Sequence, residues 1–176
     1  MIETERLILR PCRESDKPLF ATILNTPAMM AKLGGVQSAA QSDALIDRRI
    51  ADHALHGFSY WAVELRETGA LIGTCGVRIA SNYPGERVQG WHEAGWRIAE
   101  AHWGRGYALE AARASIAWAW AHTDAPRVAA WTTDANVASW RLMERLGMTR
   151  RADLDFRREQ DAEVLRVYVI ERPSGC

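Results

Sequence analysis

The chain carries no net charge: 22 basic residues balance 22 acidic ones across 176 positions. No long-range field draws it toward nucleic acid or an anionic membrane, and only a local basic site is left open. Cysteine is scarce. Cys12, Cys75 and Cys176 are odd in number, widely spaced and without a CxxC pair. That argues against a disulfide framework or a zinc knuckle and makes reduced thiols in a cytosolic protein the expectation. No uninterrupted apolar run approaches the roughly 18 residues of a membrane span. The opening Met1-Ile2-Glu3-Thr4-Glu5-Arg6 is charged where a signal peptide needs an apolar core. Internal repeats, low-complexity tracts and domain-splitting linkers are also missing. With 48% hydrophobic and 25% charged residues, the expectation is one soluble cytoplasmic domain spanning 1–176. What the chain has in excess is tryptophan, 8 residues among its aromatics, enough for a large core or a ligand groove.

The pattern alternates between strand and helix. Leu7 and Leu9 predict a first strand that Pro11 cuts short. Ser15 or Asp16 can cap a helix with Pro18 in its first turn, running to about Asn25. A second helix is predicted from about Ser42 to His56, closed by Gly57. Ser59–Leu65 and Leu71–Ala80 then form a hairpin around Arg66-Glu67-Thr68-Gly69, and Asn82–Gly90 forms a loop. His92–Ile98 is a strand, a long Ala-rich helix covers Gly106–His122, and Val128–Thr132 is a strand. Val137–Leu146 is a helix ended by Gly147, and Val164–Ile170 is a late strand. Helices that interrupt strands, with a crossover helix between the fourth and fifth, make a mixed α/β sheet.

The most informative segment is Trp96-Arg97-Ile98-Ala99-Glu100-Ala101-His102-Trp103-Gly104-Arg105-Gly106-Tyr107-Ala108. It ends a strand, turns through two glycines and opens a helix. The glycines allow close backbone approach, and the helix start leaves several N–H groups without intrahelical partners. Those donors and the helix dipole favour a phosphate by roughly 0.3–1 kcal/mol when exposed and about 2 when partly buried, and Arg105 adds a formal charge. On spacing alone, a phosphate cradle and a plain tight turn are equally compatible. Gly104-Arg105-Gly106-Tyr107-Ala108-Leu109 has Leu where a dinucleotide fingerprint needs its third small residue, and no GxxxxGK[ST] is present. Neither nucleotide motif fits.

Four stretches in order resemble the GNAT acetyltransferase superfamily, in particular its ribosomal-protein N-acetyltransferase (RimJ/RimL-like) branch. Glu3-Thr4-Glu5-Arg6-Leu7-Ile8-Leu9-Arg10 looks like that branch's opening TxRLxLR strand, and Gly69-Ala70-Leu71-Ile72-Gly73 like its GxLIG hairpin. Trp103-Gly104-Arg105-Gly106-Tyr107-Ala108-Leu109-Glu110-Ala111 is similar to its WGKGYATEA coenzyme A loop. Asn136-Val137-Ala138-Ser139-Trp140-Arg141-Leu142-Met143-Glu144-Arg145-Leu146-Gly147-Met148 matches NxxSxxxxEKxGF. The resemblance implies an α+β fold with a mostly antiparallel central sheet of about six to seven strands and helices on both faces. It implies acetyl-coenzyme A as acyl-donor cosubstrate, no metal, and an amine acceptor that is a small molecule or a protein N-terminus. It leaves monomer or homodimer open.

Position by position, the resemblance implies that the Trp96 and Ile98 backbone pairs with the pantetheine arm. The pyrophosphate would sit on the amides of Gly104, Arg105, Gly106, Ala108 and Leu109, Asn136 would contact the same cofactor, and Ser139 would lie near the thioester sulfur. Two positions depart from the wider superfamily. Trp103 replaces the usual Gln or Arg, and Met143 stands where many relatives have a Tyr that protonates the departing thiolate.

Acetyl transfer to an amine needs a neutral nucleophile and a stabilised leaving thiolate. An α-amino group near 7.7–8.0 is roughly one-tenth neutral at pH 7, whereas a Lys near 10.4 is neutral about once in 2,500. Glu93, on the strand leading into the loop, is the candidate base; the rival is an idle strand carboxylate. Ser139 lies three residues after Asn136 on one helix face and could donate to the thiolate. Its rival, like that of Asn136, is local capping. Strand alternation sends His92 away from Glu93. His53, His56, His102 and His122 form no metal-ligand pattern, Cys75 reads as a buried inert thiol, and Arg157–Asp161 reads as a solvated turn. Trp61, Trp91 and Trp96 could line an acceptor pocket or simply pack the core. An acetyltransferase leads; the alternative is an acyl-coenzyme A-binding sensor or scaffold without turnover, motivated by Met143.

Overall fold

The computed structural model describes residues 1–81, 87–157 and 163–174. Residues 82–86 of the expected loop, 158–161 of the expected solvated turn, and Cys176 lie outside these. Strand β1 (Ile2–Glu3) pairs back on β2 (Leu7–Arg10), whose Leu7 and Leu9 are fully buried. Helices α1 (Lys17–Leu24), α2 (Pro27–Met30) and α3 (Ala39–His56) follow. Strands β3 (Tyr60–Leu65), β4 (Leu71–Ile79) and β5 (His92–Ile98) form an antiparallel meander. Helix α4 (Tyr107–His122) crosses to β6 (Arg127–Thr132), and α5 (Val137–Arg145), β7 (Thr149–Arg150) and β8 (Arg166–Glu171) complete the order.

The sheet runs β1-β2-β3-β4-β5-β6-β8-β7, antiparallel everywhere except between β5 and β6. Its eight strands among the described residues exceed the six or seven that the resemblance implied, the two-residue β1 and β7 being too short to show alternation in the sequence. The mixed, mostly antiparallel GNAT-type sheet with helices on both faces is the architecture found.

Period-two alternation sorts the two faces. Trp61, Val63, Cys75, Val77 and Ala94 pack against Ala112, Ile116 and Ala119 of α4. Trp61 meets Trp118 edge-on at 5.1 Å; truncating so large a buried ring costs about 3–5 kcal/mol. On the other face Ala62 packs with Phe20, Leu24 and Ile46 of α1 and α3.

One helix start and one capping bond differ from the sequence reading, although Asp16 does stand at the N-cap of α1. Helix α3 begins at Ala39 because Ser38 and Gln41 form a reciprocal capping box; the apolar period that marked Ser42 starts a turn too late to show it. Asp16 makes no capping bond from its side chain, since Arg10 and the Arg13 N–H take its carboxylate. No helix of the described residues is long and apolar enough to cross a membrane.

Candidate active site

The site begins where the sheet stops pairing. Among the described residues, parallel β5 and β6 meet at His92–Val128 and Glu93–Ala129, and the β6-side edge of β5 has no strand partner there from Ala94 onward. Bonds from Ala80 N–H to Trp91 and from Ala99 N–H to Ile72 fix the phase of the β4–β5 ladder. In antiparallel pairing, alternate residues turn their amides and carbonyls the same way. Glu93, Gly95 and Arg97 therefore face β4, while Ala94, Trp96 and Ile98 turn their backbone groups into the gap. The Ile98 carbonyl accepts a bond from Trp103 Nε1, which folds that half-exposed indole (51%) back against the strand end.

Parallel strands open their C-terminal ends on the same edge. The Gly104–Gly106 turn after β5 and the Asn136–Ser139 turn after β6 are therefore brought to one side. Gly104 and Gly106 have φ of 73° and 81°, a region in which L-residues are strained. Gly106 is the N-cap of α4 and no side chain caps it. The first intrahelical bond runs from Glu110 N–H to the Gly106 carbonyl. The amides of Gly106, Tyr107, Ala108 and Leu109 thus have no helical acceptor. A Cβ built at Gly104 would meet nothing within 4 Å, so the space above the turn is open. Arg105 is exposed beside it.

The turn is braced by residues whose role the sequence reading missed. The Glu110 carboxylate accepts from Thr4 Oγ1 (2.6 Å), the Arg6 N–H (3.0 Å) and Arg6 Nε (2.7 Å). Arg6 Nη1 donates to the Arg105 carbonyl at 3.0 Å, and the guanidinium lies 4.6 Å from the Tyr107 ring centre. Burial opposes ionisation of Glu110, but the Thr4 and Arg6 hydrogen bonds outweigh it and hold the carboxyl below its ordinary range. The signal was available: Thr4, Arg6 and Glu110 all sit in the two motifs that resemble the family's first strand and cofactor loop.

Glu93 occupies the closed end of the gap. It is 8% exposed and ion-paired at 2.6 Å with Arg78, its cross-strand neighbour. Its side chain lies on the α1–α3 face, on the side of β5 opposite to Trp96. His92 faces the other way, stacked on Phe58 at 5.3 Å, and burial lowers its pKa; it serves packing. Asn136 makes no side-chain capping bond to α5, so its amide group is not spent on the helix start. Ser139 is half-buried. Met143 is buried in the core beneath α5 and offers no hydroxyl. Cys75 is also buried, its thiol beside Ser115 and pushed up to about 12 by burial. Among the described residues no three His, Cys, Asp or Glu side chains cluster to hold a metal.

The stretch after α1 spans the mouth of this region. Thr26 Oγ1 donates to Glu100 beyond β5, and Lys32 Nζ donates at 2.8 Å to the Ala135 carbonyl beyond β6. By contrast, the open depression around Trp120, His122, Asp124 and Arg172 lies at the far end of α4, about 24 Å from the glycine turn.

A family model for the acetyltransferase (GNAT) domain matches residues 6–149. The chain belongs to the GNAT acetyltransferase family. Among the relatives, the uncharacterized Bacillus subtilis protein YkkB is 31% identical over 146 residues, covering 82% of this chain and 83% of YkkB. The uncharacterized N-acetyltransferase YoaA of Bacillus subtilis is 27% identical over 156 residues, covering 88% of this chain and 85% of its own. The crystal structure of an acetyltransferase from Agrobacterium tumefaciens superposes with a TM-score of 0.81 at 29% identity, covering 97% of this chain and 93% of that one. More distant structures share the GNAT fold and hold coenzyme A. One is RimL, a ribosomal α-N-protein acetyltransferase (TM-score 0.74, 16% identity, 96% and 95% covered). Another is the spermidine N-acetyltransferase of Vibrio cholerae, which also holds spermine (0.71, 18%, 96% and 97%). The chain is accordingly an acetyltransferase enzyme.

Proposed function

We propose that this protein, as one domain over 1–176, transfers the acetyl group of acetyl-coenzyme A directly to a primary amine in a ternary complex. The observation that carries the reading is the unpaired β5 edge at Trp96 and Ile98 running into a glycine turn with four unpartnered amides. An extended amide-bearing arm and a pyrophosphate are the ligand parts that match those two features. Gly104, Arg105, Gly106, Ala108 and Leu109 cradle the pyrophosphate, and Asn136 reaches the same cofactor from across the gap.

In the transfer, the amine nitrogen attacks the thioester carbon and the C–S bond breaks, its electron pair leaving on sulfur. The amine proton passes to Glu93 through water, with Arg78 fixing the carboxylate's orientation. The thiolate takes a proton from Ser139, which recovers one from solvent; buried Met143 leaves that role to it. No metal is required by these steps. The RimJ/RimL-like resemblance supports an α-amine acceptor, since a group titrating near 7.7–8.0 needs far less help than a lysine.

Titration calorimetry with acetyl-coenzyme A tests the cofactor site. A specific complex is expected that weakens at least about tenfold in Gly106→Val, because a β-branched residue is strained at positive φ and crowds the amides. No heat of binding by the native chain sinks the proposal. Release of coenzyme A thiol in the presence of amines separates turnover from a sensor or scaffold role.

A further inference from the structure

The α1–α3 face of the sheet holds a second cationic site that the glycine turn does not use. Alternation along β5 sends Arg97 to this face, and α3 brings Arg49 onto it. Arg49 is 5% exposed, its Nε and Nη1 have no hydrogen-bond partner, and the Cys12 thiol is the polar group beside it. Its guanidinium lies 5.7 Å from the ring centres of both Phe20 and Tyr60. Arg97 is half-buried and takes part in no salt bridge among the described residues. Burial, reinforced by the neighbouring Arg49 charge, pulls its pKa down to about 10. A third guanidinium, that of Arg78, stands 5.6 Å from the Tyr60 ring and pairs with Glu93. Tyr60 itself crosses β5 at Gly95, where a Cβ would come within 2.5 Å of its hydroxyl. A small cavity, with room for about one water molecule, lies between Arg49 and Arg97, walled by Phe20, Leu24, Ser42 and Ile46.

Among the described residues, the Arg49, Arg78 and Arg97 guanidiniums meet the Glu93 carboxylate here, and it is Arg78 that pairs with it. A buried charge without a partner destabilises a fold, and a methionine or leucine of similar size would pack there without that cost. Two adjacent cations also repel until an anion lies between them. Guanidinium forks match a carboxylate's geometry, two donors to two oxygens. A polyamine or aminoglycoside would instead meet like charge. The bridges from Thr26 to Glu100 and from Lys32 to Ala135 close the mouth on this side, which fits a small acceptor better than a protein chain.

We infer that the Arg49–Arg97 pocket binds the carboxylate of the acceptor, so that the amine acetylated here belongs to a small carboxylate-bearing amine of the amino-acid kind. This rests on the acetyl-transfer reading above and narrows its substrate.

The test uses the full chain with acetyl-coenzyme A and follows thiol release. Acceptors are L-amino acids, their α-carboxamides, short peptides beginning with Asp or Glu, and spermidine. At least one free acid is expected to exceed its carboxamide about tenfold or more in kcat/KM, with spermidine inert. Equal use of carboxamides, or preference for spermidine or for the acidic peptides, overturns the inference while acetyl transfer stands. Arg97→Gln is expected to raise KM for the acid about ten- to a hundredfold, the loss of a charged hydrogen bond, and to leave the carboxamide unchanged. Melting supplies a readout independent of turnover. The favoured acid should raise the native Tm by mass action. Arg49→Met should melt at or above the native temperature and lose that rise. An Arg49→Met protein that melts lower yet keeps the acid-over-amide preference marks a structural arginine and overturns the inference. If no amine releases thiol, the transfer reading falls, and an acid-induced Tm rise abolished in Arg49→Met would still support the pocket.

Discussion

Arg10 and Arg49 lie on the same face of the sheet, one at the end of β2 and the other on α3. Both are more than nine-tenths buried, at 7% and 5% exposure. Arg10 is fully engaged: two hydrogen bonds of 2.8 Å to Asp16, one of 2.7 Å to Glu64 and one to the Pro11 carbonyl. Those carboxylates hold its charge more firmly than water does, raising its pKa against the opposing effect of burial. Arg49 has aromatic rings and a neighbouring arginine where Arg10 has carboxylates, and burial lowers its pKa. The same side chain at the same depth is therefore a structural tie in one place and an unmet charge in the other. Depth does not separate the two; the charge of the neighbours does.

The largest effect that would sharpen this contrast comes from Arg10→Met, which strands Asp16 and Glu64. Breaking a buried pair costs about 3–5 kcal/mol, to be read from chemical denaturation, whereas Arg49→Met should cost nothing. Equal losses in the two variants would break the comparison.

Next comes Glu93→Gln, which removes the carboxylate charge that Arg78 pairs with. Loss of the proposed base is expected to lower kcat about a hundredfold with KM for acetyl-coenzyme A little changed. A variant with native kcat would return Glu93 to the rank of an ion-pair residue.

A smaller change is expected at the exposed clamp under the glycine turn. Arg6 is nearly half exposed and its pair with Glu110 is solvent-screened. Glu110→Gln should therefore weaken acetyl-coenzyme A only severalfold in calorimetry, by loosening the turn rather than by removing a ligand.

The smallest effect is in acid. Asp16 and Glu110 both ionise below their ordinary values in the fold. Burial opposes this in each, but the bonds from Arg10 and Arg13 to Asp16, and from Thr4 and Arg6 to Glu110, prevail. A lowered folded pKa contributes stability that is complete above the unfolded values of about 3.9 and 4.3 and is lost as pH falls through the folded ones. Tm should stay level from pH 7 to about 5, sink below about 4, and sink less in Arg10→Met. Calorimetric scans across that range check it.

Much of the fold was legible in the chain. The His92–Ile98 strand coincides with β5, and the helix from Gly106 to His122 differs from α4 by one residue, since both have long periodic patterns. The glycine turn could be located from Gly104 and Gly106, whereas the β5–β6 gap beside it, which depends on strand pairing, could not be read from the chain. Cys75 read as an inert thiol from its apolar neighbours, and burial against α4 agrees. The tryptophans divided less simply. Trp61 is core, while Trp103 lies half in solvent with its indole tied to Ile98.

Sequence by itself determined the family, the order of elements and the residues of the turn, because those depend on local periodicity, on glycine and on motifs a few residues long. It could not decide which charges meet. The Thr4–Arg6–Glu110 clamp, the Arg78–Glu93 pair and the solitary Arg49 join residues that are far apart in the chain or opposed across strands. Whether a guanidinium is paired or left wanting is set by sheet register and helix docking. Only the tertiary structure, by excluding water around Arg49 without supplying it a carboxylate among the described residues, made that difference physical.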